Sequence, residues 1–191
     1  MDRSGRFLFI GFLIPDDQIE RTFEGEIHPQ VSALHFQRRF LKALESAGAS
    51  IEAVTTPPVA AFPRNRRWWI RGTDYRLPGL QVRARQISGP NLPLVRLPVR
   101  LVQILLYGMS KLRAPCEGIL VYSVHSPMVA ASVFLKWLRS VPVFVVIPDR
   151  PTFMGGPSNA LKRFLKRIDE GLVRRMLAST DGAFPVTEGT G

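Results

Sequence analysis

Three continuous apolar runs constrain the fold more than any other feature of the sequence. They lie within the predicted strands 7–14, 119–123 and 141–149. Uninterrupted apolar runs are typical of parallel strands that are covered on both faces. Helical patterns alternate with these runs, at residues 33–47, 98–113, 128–139 and 159–178. This alternation predicts right-handed crossovers and a parallel sheet, hence an α/β, Rossmann-like doubly wound fold with helices on both faces.

The remaining segments are less regular. Residues 51–56, 80–87 and 182–187 are predicted to be further strands, and residues 15–30 a long loop. Residues 57–96 are rich in proline and arginine and show no clear pattern. The helix at 128–139 is apolar almost all round, so we expect it to be well buried. A chain of 191 residues suits one domain, so residues 1–191 are treated as a single unit.

The chain is strongly basic, with 26 Lys and Arg against 15 Asp and Glu, for a net charge of +11. Such a charge favours an anionic partner: nucleic acid, a membrane surface or a phosphorylated substrate. The first apolar run is followed by Asp16 and Asp17 rather than by a small-residue cleavage site, which favours a buried strand over a signal peptide. Cys116 is the single cysteine, so an internal disulfide is excluded.

The stretch RNRRWWI concentrates basic and aromatic side chains. Tryptophan favours the headgroup region of a bilayer and arginine attracts anionic lipid, so the stretch predicts a membrane-contact patch. A solvated loop whose tryptophans pack onto the domain is the alternative. No recognised DNA- or RNA-binding motif is present, so we expect no nucleic-acid partner. The predicted patch residues are Arg64, Arg66, Arg67, Trp68 and Trp69.

Polar residues follow several predicted strands, where open parallel sheets bind their ligands. His125, Asp149 and Glu188 occupy such positions. The sequence has no G-x-G-x-x-G, P-loop or G-x-S-x-G motif, and its three histidines and one cysteine lack metal-ligand spacing. We therefore expect no cofactor and no bound metal.

His125 has two interpretations. It is a proton-exchanging group at the edge of a cleft, or a loop histidine that caps the following helix. Asp149 is equally well explained as a turn residue, and Glu188 is the weaker candidate because it stands three residues from Gly191.

The second half of the chain resembles a known family. GILVYSVHSPMVAASVFLKW, VPVFVVIPDRPTFMG and NALKRFLKRIDEGLVRRMLASTDGAFPVTEG are similar in pattern to the N-terminal domain of bacterial GT-B-fold retaining glycosyltransferases of family four. The resemblance extends more loosely over nearly the whole chain and is poorest at residues 57–96.

The resemblance implies two Rossmann-like domains that face each other across a cleft. The N-terminal domain holds mainly the acceptor, and the C-terminal domain holds the nucleotide-sugar donor. The reaction retains the anomeric configuration and usually needs no metal. By this resemblance His125 is catalytic, contacting the transferred sugar or the acceptor; Gly25 lies near the donor diphosphate, and Asp149 and Glu188 line the cleft.

The resemblance also sets the expected partners. The C-terminal donor domain has no counterpart in this sequence, so the chain is expected to be a fragment, a truncated product or one subunit of a split enzyme whose partner carries that domain. The acceptor is expected to be a glycan or a lipid-linked molecule of the cell envelope, at the cytoplasmic face of the plasma membrane. The alternative is a non-catalytic module that docks on an anionic membrane or on a partner.

Overall fold

The computed structural model describes residues 5–24, 26, 29–148 and 160–186; for residues 160–166 it describes the backbone alone. The strands are β1 Arg6–Gly11, β2 Ser50–Thr55, β3 Trp69–Ile70, β4 Thr73–Arg76, β5 Arg83–Gln86, β6 Gly89–Pro90, β7 Gly118–Tyr122, β8 Val143–Ile147 and β9 Gly182–Pro185. The helices are α1 Ile19–Phe23, α2 Val31–Ser46, α3 Arg96–Lys111, α4 Ser126–Arg139 and α5 Ala160–Leu177.

Seven strands form one sheet in the order β4-β5-β2-β1-β7-β8-β9. Every neighbouring pair is parallel except β4 and β5, which are antiparallel. The chain leaves β1 towards β2 on one side and returns to β7 on the other, so β1 and β7 flank the switch point of the sheet. This arrangement confirms the predicted α/β, Rossmann-like fold.

The three apolar runs form the centre of the sheet, as predicted. Residues such as Phe9 in β1, Val121 in β7 and Val145 in β8 have no exposed surface. Complete burial of one such side chain stabilises the fold by roughly 1.5–3 kcal/mol relative to leaving it in water. The covered central strands therefore form a rigid base, and their carboxyl ends hold the loops that follow them in place.

Helices α3 and α4 pack closely on each other beside the sheet. A Cβ atom at Gly108 of α3 would overlap Cδ1 of Leu135 of α4, so any other residue here would force Leu135 to move. The first turns of both helices lie at the carboxyl edge of the sheet.

The prediction that residues 15–30 form a long loop is wrong in part. A 3-10 turn covers Asp16–Gln18, and α1 follows it directly. Phe23 of α1 is buried in a second, smaller core with Ile14 and Ile70, which stabilises a helix that is too short to persist alone. The sequence pattern also missed β4, whose half-buried Tyr75 hydroxyl lies 3.1 Å from the Thr55 hydroxyl of β2.

The expectation that α4 is buried throughout is also wrong in part. Its first half is buried, but Phe134, Trp137 and Leu138 near its end are exposed, Trp137 by 77%. No helix in the described ranges combines the length and the apolar character that a bilayer crossing requires.

Candidate functional site

The switch point of the sheet places His125 against Phe12. Phe12 directly follows β1, and His125 lies three residues beyond the end of β7. The two rings meet edge to face, with centroids 5.6 Å apart and planes inclined at 83°. This position agrees with the sequence prediction that His125 lies at the carboxyl edge of the sheet. The predicted catalytic role of His125 stays a prediction.

The backbone around His125 explains how the side chain is directed. Ser123 has a positive φ of 80°, which turns the chain sharply after β7. Helix α4 then starts at Ser126 with Pro127 in its first turn, and the His125 carbonyl accepts hydrogen bonds from the amides of Met128 and Val129 at 2.9 and 3.2 Å. The imidazole makes no capping hydrogen bond. Because His125 caps α4 through its backbone alone, helix capping does not account for a histidine side chain here.

Gln37 of α2 fixes the residue on the other side of the contact. Its Oε1 accepts a hydrogen bond from the Phe12 amide at 2.8 Å, and its Nε2 donates to the Phe12 carbonyl at 3.2 Å. Gln37 is fully buried, and a Cβ atom at Gly11 would lie 2.5 Å from its Oε1. Gly11 therefore leaves the space through which Gln37 reaches the backbone, and Phe12 is held firmly beside His125.

The surroundings of His125 favour its neutral form. Burial lowers its pKa to about 3, and the positive charges of Arg100 and Arg96 add to the effect. Its Nδ1 atom is buried and has no hydrogen-bond partner among the described residues. A neutral imidazole can accept a hydrogen bond at one ring nitrogen and donate at the other, so His125 is able to bind a hydroxyl group.

Two arginines of α3 approach the same region. Arg96 donates from Nη1 to the Val59 carbonyl at 3.1 Å and is partly buried. Arg100, one turn later, is only 8% exposed. Burial lowers the Arg100 pKa to about 10, and the positive charge of Arg96 contributes. Within the described part of the chain no carboxylate pairs with Arg100.

A small pocket lies between these arginines and the ends of β2 and β5. Arg96, Arg100 and Thr56 line it, and its volume is about 10 Å³, which is room for about one water-sized atom. Thr56 is 1% exposed, and its Oγ1 has no hydrogen-bond partner among the described residues. Polar groups of α3 and of the residue that follows β2 therefore converge here.

A larger cavity of about 580 Å³ shares two wall residues, Pro57 and Ile70, with the small pocket. It lies between α1 and the segment that carries β3. Its basic and aromatic lining residues are Arg21, Arg67, Trp69 and Arg71. A cavity of this size suits a small organic ligand.

Five exposed apolar side chains lie on the loops beside this cavity, and they are named the tip cluster here. Each of its members has between 39% and 71% of its surface exposed. The buried Asn91 joins its loops, because its backbone carbonyl accepts from the Phe62 amide at 2.9 Å and its amide donates to the Trp68 carbonyl at 2.7 Å. The tip cluster consists of Phe62, Trp68, Trp69, Leu94 and Val95.

The predicted membrane-contact residues all lie at this tip. Trp68 is 61% exposed and Trp69 47%, with ring centroids 5.8 Å apart, so neither ring is fully packed onto the domain. Arg64 and Arg66 are exposed, and Arg67 is partly buried and donates to the Arg21 carbonyl. Whether this surface contacts a membrane stays a prediction.

Three predicted site residues cannot be placed. Gly25, Asp149 and Glu188 lie outside the described residues, so their predicted roles stay untested. Among the residues that are described, no group of three or more His, Cys, Asp or Glu side chains could hold a metal ion.

The sequence interpretation overlooked Arg96, Arg100 and Thr56. A signal for Arg100 was present, because it shares the spacing of four residues with Ile104 and Gly108, the buried positions of α3. Helical periodicity therefore placed an arginine on the core face. No comparable signal exists for Thr56, whose burial depends on the pairing of β2 between β1 and β5.

Comparison with known proteins identifies no relative: no protein-family model matches the chain, and no curated protein matches it. The fold and the residues at the carboxyl edge of the sheet are therefore the features that bear on function.

Proposed function

We propose that this domain is the acceptor-side domain of a glycosyltransferase, which transfers a sugar from a nucleotide-sugar donor to a lipid-linked or cell-envelope acceptor. The observation that supports it best is the contact of His125 with Phe12 at the switch point of a doubly wound sheet. This is where folds of this class bind ligands. The resemblance of the sequence to family-four glycosyltransferases assigns a sugar- or acceptor-contacting role to the same histidine.

The chemistry proposed for His125 follows from its protonation state. The imidazole is neutral at physiological pH because its pKa is about 3. Its unpartnered Nδ1 would form a hydrogen bond with a hydroxyl of the acceptor or of the transferred sugar. Holding that hydroxyl beside the anomeric carbon lowers the barrier by positioning, and the remaining rate enhancement comes from groups that stabilise charge on the leaving diphosphate.

Those diphosphate-binding groups would lie on a second domain, either on the same polypeptide or on a partner subunit. The enzyme would act at the cytoplasmic face of the plasma membrane, where a lipid-linked acceptor is within reach. The net charge of +11 supports an anionic acceptor or surface.

A transfer assay tests this proposal. The chain is joined to the donor domain of a family-four glycosyltransferase, or co-expressed with the product of the neighbouring gene, and incubated with radiolabelled nucleotide-sugars and a bacterial lipid extract. The expected result is label in the lipid or glycan fraction and release of a nucleoside diphosphate. Absence of transfer from every donor, with both domains folded, would contradict the proposal.

A second candidate function is docking without catalysis, and the tip cluster supports it. Five exposed apolar side chains lie on loops joined by Asn91, and the exposed Arg64, Arg66 and Arg71 lie within four residues of Trp68 in sequence. Tryptophans with arginines nearby in sequence suit an anionic bilayer surface, where each basic residue contributes about 1 kcal/mol.

Flotation with liposomes tests the docking function. We expect the domain to float with vesicles that contain anionic phosphatidylglycerol and not with neutral phosphatidylcholine vesicles. Replacing Trp68 and Trp69 by alanine should abolish flotation, whereas the matched change Trp137→Ala, at an exposed tryptophan of α4, should leave it unchanged. Equal binding to both kinds of vesicle would contradict the electrostatic part of this account.

A further inference from the structure

Arg100 is only 8% exposed, and its guanidinium has no counter-charge among the described residues, which is an unusual and costly arrangement. A buried cation without a partner costs several kcal/mol, so such a group is normally paired or binds an anion. The charged group that acts most strongly on Arg100 is Arg96, another cation, one turn earlier on α3. The described residues around Arg100 therefore raise the cost of its charge and do not offset it.

The neighbouring polar groups are unsatisfied as well. Thr56 Oγ1 lines the same pocket as Arg96 and Arg100, and it is buried without a hydrogen-bond partner among the described residues. His125 Nδ1 is buried without such a partner too, and His125 lies within the field of both arginines. Buried polar groups in folded proteins are almost always satisfied, so an unpartnered hydroxyl in a pocket lined by two arginines indicates a missing ligand.

We propose that Arg96, Arg100 and Thr56 form a binding site for one phosphate group. Arginine presents a fork of donors that matches phosphate oxygens, and a tetrahedral anion has enough oxygens to contact two guanidiniums and a hydroxyl together. A carboxylate has only two. The pocket, at about 10 Å³, accepts a single oxygen atom, so one phosphate oxygen enters it and the others stay at its mouth with Arg96.

The phosphate belongs to the acceptor, a step that depends on the proposed function. A phosphate held at Arg100 would place the rest of a phosphorylated acceptor towards His125, because α3 packs on α4, which His125 caps, and both helices begin at the carboxyl edge of the sheet. The inferred substrate class is therefore a phosphorylated acceptor: a sugar phosphate or an isoprenoid phosphate. Binding of phosphate at the site does not itself require that the domain be a transferase.

Thermal unfolding and calorimetric titration of the 191-residue chain test the site. The probes are inorganic phosphate, glucose 1-phosphate and farnesyl phosphate below its micelle concentration, with sodium chloride and sodium acetate at equal ionic strength as controls. The variants are Arg100→Gln and Thr56→Val. Arg113→Gln is the matched control, because Arg113 is exposed just beyond the other end of α3.

Phosphate should raise the Tm of the wild-type chain beyond the effect of chloride and acetate. Arg100→Gln should weaken phosphate binding at least about tenfold, since a hydrogen bond to a charged group is lost. The same variant should have an unchanged or higher Tm without phosphate, because the unpaired charge is removed. Thr56→Val should weaken binding about three- to tenfold, and Arg113→Gln should leave it unchanged.

The proposed site would be wrong if acetate raised the Tm as much as phosphate does. It would also be wrong if Arg100→Gln and Thr56→Val both bound phosphate as tightly as the wild type. If Arg100→Gln lowers the Tm in the absence of phosphate, Arg100 is structural and the proposal is wrong. Tighter binding of farnesyl phosphate than of glucose 1-phosphate supports a lipid-linked acceptor, and the reverse supports a sugar phosphate; both support the site. Phosphate binding without sugar transfer would retain the site and reject the glycosyltransferase function.

Discussion

Gln37 holds the backbone of Phe12 through two hydrogen bonds, one to its amide and one to its carbonyl, at 2.8 and 3.2 Å. The Phe12 ring in turn packs edge-on against His125. A buried side chain of α2 thus supports the loop after β1, and that loop supports the residue after β7. The geometry of the switch point depends on this sequence of contacts.

Replacing Gln37 by leucine should destabilise the domain by about 2 to 4 kcal/mol. Leucine keeps a similar volume but leaves the Phe12 amide and carbonyl without partners, and each such loss costs roughly 1–3 kcal/mol. Urea denaturation measures the change. Gln30→Leu is the matched control, because Gln30 is exposed at the start of the same helix and makes no capping hydrogen bond, so it should change stability by less than about 0.5 kcal/mol. A similarly small effect for Gln37→Leu would show that the two hydrogen bonds between Gln37 and the Phe12 backbone do not form.

Ser123→Gly should stabilise the domain by about 0.5 to 1 kcal/mol. Ser123 has a φ of 80°, which an L-residue adopts at a cost of roughly 1–2 kcal/mol and glycine adopts freely, although glycine also loses more entropy on folding. Ser123→Val should destabilise, because a β-branched residue tolerates this conformation poorly. Chemical denaturation of the two variants gives the comparison. A loss of stability in Ser123→Gly would mean that the serine hydroxyl makes a contribution larger than the strain.

The stability of the domain should fall in acid through His125. The unfolded histidine takes up its proton near pH 6.5, whereas the folded one does so only near pH 3, because of burial and then of Arg100 and Arg96. Between these values the unfolded state binds more protons, so this contribution is complete above pH 6.5 and is lost progressively as the pH falls towards 3. The slope is at most about 1.4 kcal/mol per pH unit.

The variant His125→Gln isolates this effect. As the pH drops from 7 to 4, the unfolding free energy of the wild type should fall more steeply than that of His125→Gln. The matched variant His35→Gln, at an exposed histidine of α2, should follow the wild type. Bound phosphate should raise the pKa of His125, because an anion favours the charged imidazole. A pH-independent difference would place His125 in a solvated environment.

The sequence predicted the centre of this fold better than its periphery. Continuous apolar runs indicated β1, β7 and β8, since only strands covered on both faces tolerate them. The helical patterns located α3, α4 and α5 within a few residues, because a period of 3.6 is maintained over three or more turns.

The elements that were missed depend on contacts distant in sequence. Helix α1 has only five residues, and its stability comes from Phe23 in the second core. Strand β4 alternates over four residues and is stabilised by β5 and by Tyr75 against Thr55. Neither signal is strong enough to be recognised before the tertiary structure is known.

The candidate site was predictable in position but not in composition. The rule for parallel sheets located His125 at the ligand-binding edge. It could not indicate Arg100 or Thr56, because their importance comes from the absence of partners among the described residues of the folded chain. Such an absence is a property of the surroundings rather than of the residue type.

The turnover of His125→Ala in sugar transfer is the most direct test of the central claim that the switch point is an active-site cleft. It is measured in the transfer assay with both domains present, beside the wild type and His35→Ala. We expect a loss of about a hundredfold in turnover for His125→Ala, with a folded protein and with His35→Ala fully active, because a group that positions the reacting hydroxyl is removed. Unchanged turnover in His125→Ala would remove this histidine from the site and contradict the account.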